Sequence, residues 1–189
     1  MASRFPLMQA PDPEIHKMIA SILTEIHNGP PAFPILQEDG DTMLGPYAAF
    51  SYTPEMAKAF FTMSKTCYSP EHIKPRNRGL AIMALCSVFH LPYIVYCHRI
   101  VGQKLGFSDQ QIDDAMAGKE PQGLTSEESA AYRLGRVLST DTGPISDAVF
   151  DDISSNMDKS QVVAVTNIVG GYLWIAKLVQ VNGHDSRWG

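Results

Sequence analysis

The sequence predicts an all-α fold, and three observations carry that expectation. Apolar residues recur at helical spacing, most clearly at Ile15, Met18, Ile19, Ile22, Leu23 and Ile26. Prolines, glycines and small polar residues stand where helices start and stop. No segment shows a convincing alternation of apolar and polar residues. The run "QVVAVTNIVGG" is β-branched, but its length and setting favour a helix. With 189 residues, 44% of them hydrophobic, the chain is long enough to bury a core as one domain. Roughly seven or eight helices are expected.

Residues 1–13 read as a loose lead-in with prolines at 6, 11 and 13. Glu14 to His27 is an amphipathic helix, which Gly29-Pro30-Pro31 ends. Residues 28–45 are irregular and rich in Gly and Pro. Thr53 is the expected N-cap of the next helix, with Pro54 in its first position and Glu55 in its first turn. Residues 76–90 form a mostly apolar helix that Leu91-Pro92 breaks, because the residue before proline avoids helical angles. Pro92 starts a helix that runs to about Leu105, where Gly106 stops it. Ser108 caps the next one, and Thr125 or Ser126 the one after. "PISDAVFDDISSNM" is shorter, and "DKSQVVAVTNIVGGYLWIAKLVQVNG" is a long closing helix expected to be buried. Gly170-Gly171 within it suggests a close helix approach. No solenoid repeat is visible.

The net charge is −5 with no basic run, which argues against nucleic acid or an anionic membrane as partner. Arg, Lys, His or Pro interrupts the longest apolar stretches before 18 residues, so no membrane span is expected. The N-terminal segment lacks an apolar region with a cleavage site, so no secretory signal is expected either. Three cysteines without a CxxC spacing point to free thiols and a cytoplasmic setting. There is no glycine-rich phosphate loop, nucleophile elbow, dinucleotide fingerprint or zinc motif, so neither cofactor nor metal is expected.

Six segments resemble, in order, those of the carboxymuconolactone decarboxylase superfamily, which includes the alkylhydroperoxidase-like proteins. They are "GPYAAFSYTPEMA", "RNRGLAIMAL", "YIVYCHRIVGQKLGFSDQQIDDAMAG", "LTSEESAAYRLGRVL", "SDAVFDDI" and "VTNIVGGYLWIAKLVQVNG", together spanning residues 44–183. The resemblance implies a helical domain over 44–189, preceded by a 1–43 extension with one helix and a Pro/Gly-rich loop. It also implies a homo-oligomer, usually a trimer or hexamer. Peroxidase-type members carry Glu, then C-x-x-C, then His. With His98 as that histidine, these positions hold Gly79, Leu91 and Ile94. Decarboxylase-type members carry Glu four residues before the histidine, and here that residue is Ile94. Tyr93 and His98 remain, so one partner of the acid–base pair is gone. Cys97 does not replace the thiols, because adjacent helical residues do not share a face.

His98 is therefore the leading catalytic candidate, with Tyr93 and Tyr96 beside it. The alternative for His98 is a hydrogen-bonded core histidine, and for the tyrosines aromatic core filling. Tyr47, Arg76, Arg78, His90, Cys97, Asn167 and Tyr172 are candidates for substrate binding, with Trp174 a secondary one. An inward arginine would clamp a carboxylate. His90 could instead be a plain helix-terminal cation. Asn167 is a polar residue in an apolar run that needs a partner if buried. The expected function is a cofactor-independent lyase or isomerase acting on a small cyclic or polyketide-like acid, lactone or enone. With an ordinary histidine near 6.5, activity would fall between about pH 7 and 5. A thiol-dependent peroxidase and a non-catalytic oligomeric scaffold are the alternatives.

Overall fold

The computed structural model describes residues 4–183. Among these the chain forms nine α-helices, eight of them seven residues or longer, and no strand. They are α1 (Ile15–Ile26), α2 (Tyr47–Phe50), α3 (Pro54–Cys67), α4 (Pro75–Cys86), α5 (Pro92–Lys104), α6 (Asp109–Met116), α7 (Ser126–Thr140), α8 (Asp147–Ser154) and α9 (Lys159–Asn182). A single 3-10 turn at Leu7–Gln9 and an isolated bridge between Leu36 and Met43 complete the regular structure described.

Local chemistry sets most boundaries. Ser108 and Thr125 each form a capping box, with Gln111 and Glu128 respectively, so Thr125 rather than Ser126 caps α7. Pro54, Pro75 and Pro92 each open a helix, where a missing N–H costs nothing. Thr53 makes no side-chain cap, so α3 starts on its proline alone. The α4 helix ends at Cys86, four residues before the expected His90. Ser87 turns its hydroxyl back onto the Ala84 carbonyl and accepts a hydrogen bond from Arg136.

The centre of the molecule is α4, which packs against α5, α6, α7 and α9. Nine of its twelve residues are buried, which accounts for the lack of one clear apolar face in its sequence. Its approach to α7 is close because Gly135 has no side chain: a Cβ there would stand 2.9 Å from Ala81 Cα. The expected close approach at Gly170-Gly171 is not where helices meet most tightly. Gly170 faces open space, and a Cβ on Gly171 would only reach Met63 Cε at 3.8 Å.

Residues of the 1–43 segment share the main core with the rest of the chain. Leu7, Ile15, Ile19, Leu23, Phe33 and Met43 are buried in one cluster with Phe50, Phe60, Ile82 and Val165. Polar ties reinforce this. Tyr52 donates to the Pro6 carbonyl at 3.0 Å, and Tyr93 donates to the Pro34 carbonyl at 2.6 Å.

The closing helix is less buried than its composition implies. Val162, Val165, Ile168, Val169, Ile175 and Ala176 face the core, while Val163 and Val181 are more than half exposed. By length and composition alone, α9 is long and apolar enough to cross a membrane, although no such stretch was expected.

Candidate functional site

Five segments converge on one cavity of about 60 Å³. On α5, Tyr93, Ile94, Cys97, His98 and Val101 form one helical stripe along its wall. On α3 and just beyond it, Phe60, Phe61, Ser64 and Tyr68 do the same. Leu23, Ile26 and His27 close it from the end of α1, Tyr47 from α2, and Tyr172 and Ile175 from α9. The cavity suits a ligand of a few heavy atoms or a small water cluster.

His98 is 7% exposed and sits in this wall. Its Nε2 shares a 2.8 Å hydrogen bond with the Tyr172 hydroxyl, and that hydroxyl shares a 2.5 Å bond with the Tyr68 hydroxyl. His98 Nδ1 makes no hydrogen bond among the described residues. The Arg78 guanidinium lies 4.2 Å over the Tyr68 ring and donates to the Tyr68 carbonyl at 2.9 Å. No carboxylate pairs with Arg78 among the described residues. The result is a chain of three neutral proton carriers beside one unneutralised cation.

Burial sets the protonation states. Loss of water, with lesser contributions from the charges of His27 and Arg78, lowers the His98 pKa to about 3. The imidazole is therefore neutral at every physiological pH, and the expected loss of activity through its titration between pH 7 and 5 does not apply. Burial likewise raises Tyr172 well above the usual phenol value and raises Tyr68, so both hydroxyls keep their protons. The Cys97 and Cys86 thiols are pushed up to about 12, chiefly by burial, which removes the thiolate a nucleophile needs. Among the described residues no group of three His, Cys, Asp or Glu side chains could hold a metal ion.

The other candidates divide clearly. Tyr47, Tyr93 and Cys97 line the cavity with His98 and Tyr172. Tyr93 spends its hydroxyl proton on the Pro34 carbonyl, so it anchors the irregular loop rather than facing a reacting atom. Tyr96 is half-buried against the outer core and does not line the cavity, since it is two residues from His98 on the same helix. Arg76 lies in a separate open groove, paired with Glu128, bonded to the Leu105 carbonyl and stacked 3.9 Å over Phe107. Neighbouring Lys74 pairs with Glu127, so that groove satisfies its own charges. His90 is exposed and lines a different groove, because α4 has already ended at Cys86. Asn167 is exposed, being rotated away from the buried Val165 and Ile168, and needs no partner. Trp174 packs on Phe50 and Phe60.

Three polar cavity residues were not expected from the sequence: Tyr68, His27 and Ser64. Tyr68 follows α3 directly, and only the fold brings it to Tyr172, 104 residues later. His27 lies in the segment that the family resemblance does not reach.

Comparison with family models, curated proteins and solved structures finds no match to this chain.

Proposed function

We propose that the cavity around His98 carries out proton transfer on a small organic acid, lactone or enone, as a cofactor-independent lyase or isomerase. The carrying observation is a neutral imidazole with one ring nitrogen unbonded and the other tied to a tyrosine pair. The resemblance of residues 44–183 to decarboxylase-like proteins points the same way.

The missing glutamate limits the mechanism. Protonating His98 at neutral pH without a counter-charge costs on the order of 5 kcal/mol. A relay avoids that cost. A substrate C–H proton passes to Nδ1, the Nε2 proton to the Tyr172 oxygen, the Tyr172 proton to the Tyr68 oxygen, and the Tyr68 proton to a substrate oxygen or carbon. Each group gains and loses one proton, and no net charge is left behind. Double-bond migration needs this pattern. In decarboxylation the C–C bond breaks and CO2 leaves, the second half of the relay returns a proton to carbon, and a proton from water replaces it at His98 Nδ1. Of the two alternatives, thiol peroxidase chemistry is disfavoured by the high thiol pKa values of Cys86 and Cys97.

The test needs no named substrate. The protein is incubated in deuterated water with a panel of small unsaturated acids, lactones and enones, and deuterium in carbon-bound positions is read by mass spectrometry. Wild type is expected to label or convert at least one compound class, with His98→Gln and Tyr172→Phe reduced by roughly 10²–10⁴. Labelling that His98→Gln retains in full contradicts the reading, and a bound compound that is never labelled favours the scaffold alternative.

The same reading includes a homo-oligomer. Met56 and Met63 on α3, and Val163 and Val181 on α9, leave apolar side chains exposed. Light scattering after chromatography is expected to give more than one chain per particle, and fewer with Val163→Lys.

A further inference from the structure

The wall of the His98 cavity carries hydrogen-bonding groups but no fixed charge. Among the described residues no Lys, Arg, Asp or Glu lines it. Arg78 stays outside: its guanidinium lies over the Tyr68 ring and donates to the Tyr68 carbonyl. His27 does line the cavity, but it is half-buried edge-on to Phe33, and burial disfavours its charged form. The polar groups offered are the Tyr68–Tyr172 hydroxyl pair, Ser64 and the His98 imidazole. An ionised carboxylate enclosed by such a wall would lose its water and gain no counter-charge. An uncharged carbonyl finds hydrogen-bond partners there at far lower desolvation cost.

Space sets a second condition. About 60 Å³ holds only a few heavy atoms, so a larger molecule needs adjoining room. A groove between α3 and α9 supplies it. Phe60, Ser64, Tyr68 and Tyr172 line both spaces, and Met63, Cys67 and Gly171 are among the other residues of the groove. No Lys, Arg, Asp or Glu lines the groove either, among the described residues. A Cβ on Gly171 would stand 3.8 Å from Met63 Cε and 3.9 Å from Phe60 Cε2, so a longer side chain there would fill the groove. The groove holds about 10 Å³, room for one water, with Met63 lying over Gly171. Met63 is 41% exposed and unbranched, so its side chain can swing outward and widen the groove.

We propose that the cavity and the α3–α9 groove form one binding site for an uncharged lactone or enone, whose carbonyl end meets His98 and the tyrosine pair and whose apolar tail lies over Gly171. The proposal rests on the proton-transfer reading of this site and narrows it: ionised acids are excluded, and the tail sets specificity.

Unreactive amides serve as probes, because they carry an uncharged carbonyl and have charged isosteres. The full chain, labelled with nitrogen-15 at its histidine rings, is titrated at about pH 7 with propanamide, with propanoate and with hexanamide. Propanamide is expected to shift the His98 ring signals, and propanoate to bind at least about 100-fold more weakly. Hexanamide, with its longer tail, should bind on the order of tenfold tighter than propanamide. Gly171→Leu should abolish that gain and leave propanamide affinity unchanged, which also shows that the variant is folded. A second readout needs no variant. Cys67 is half-buried whereas Cys86 and Cys97 are buried, so iodoacetamide reports on the groove through Cys67, and saturating hexanamide should slow its alkylation. Propanoate binding as tightly as propanamide, a hexanamide gain that survives in Gly171→Leu, an unprotected Cys67, or no His98 shift with either amide would each overturn the proposal. Amides that bind as described, in a protein that labels no compound in deuterated water, leave the proposal standing and remove the enzymatic reading. His98-dependent labelling of ionised acids with both amides unbound does the reverse.

Discussion

At the scale of single residues, the site turns on what surrounds one imidazole. His98 has Ile94, not a carboxylate, one helical turn before it, and its ring bonds a phenol from α9. Placing an acid there is the direct check. Ile94→Glu places a carboxylate at i−4 from His98, and an opposite charge there favours the imidazolium. The His98 pKa should rise from about 3 toward the ordinary range, read by ring NMR. An unmoved value would mean the two side chains do not meet. Tyr172→Phe tests the other partner. It removes two buried hydrogen bonds, to His98 and to Tyr68, at a cost of about 1–3 kcal/mol in urea unfolding, while the turnover proposed above should fall much further. That His98 lies in a cavity wall was legible from the sequence as an expectation, because the resemblance marks its position. Tyr172 was legible only as an aromatic on the last long helix. Tyr68 was not legible, since nothing local distinguishes a tyrosine after a helix from any other aromatic at a core edge.

At the scale of elements, sequence and structure agree where the chemistry is local and part where it is not. The capping boxes at Ser108 and Thr125 and the prolines opening α3 and α5 are chain-local events, so these helices start where expected, and α4 starts on Pro75, one residue before the expected start. The end of α4 was misplaced because Ser87 is held by Arg136 from α7, a contact absent from the local sequence. Arg76 was drawn as a substrate clamp on residue type alone, but Glu128 on α7 claims it. Close packing was misassigned for the same reason. The glycine pair in α9 is conspicuous, yet the single Gly135 lets α7 reach α4. Gly135→Ala is accordingly expected to cost roughly 1–3 kcal/mol, measured from urea midpoints. Gly170→Ala should be neutral or slightly stabilising, because its Cβ meets nothing and alanine favours the helix. Equal effects of the two substitutions would mean that α4 and α7 do not pack as described.

At the scale of the whole molecule, the proton-free imidazole links the site to the stability of the fold. An unfolded chain binds a proton at His98 near pH 6.5, whereas the folded chain resists until about 3. The unfolded state therefore binds more protons in that window, and stability falls as pH drops from about 6.5 toward 3. His98 alone contributes a loss on the order of 5 kcal/mol across the window, a large share of a typical domain's stability. His98→Gln, which keeps a hydrogen-bonding group for Tyr172 but does not titrate, should flatten the acid limb of the unfolding profile. The N-terminal segment belongs to the same unit, since its side chains bury the core and its His27 lines the cavity. Site chemistry and acid sensitivity thus rest on a single claim: His98 is neutral and joined through Tyr172 to Tyr68. The most direct measurement is the nitrogen spectrum of the His98 ring between about pH 7.5 and 4. A neutral pattern throughout that range, altered by Tyr172→Phe, is the expected result. An imidazolium pattern appearing near pH 6.5 would contradict both the relay and the acid-stability prediction.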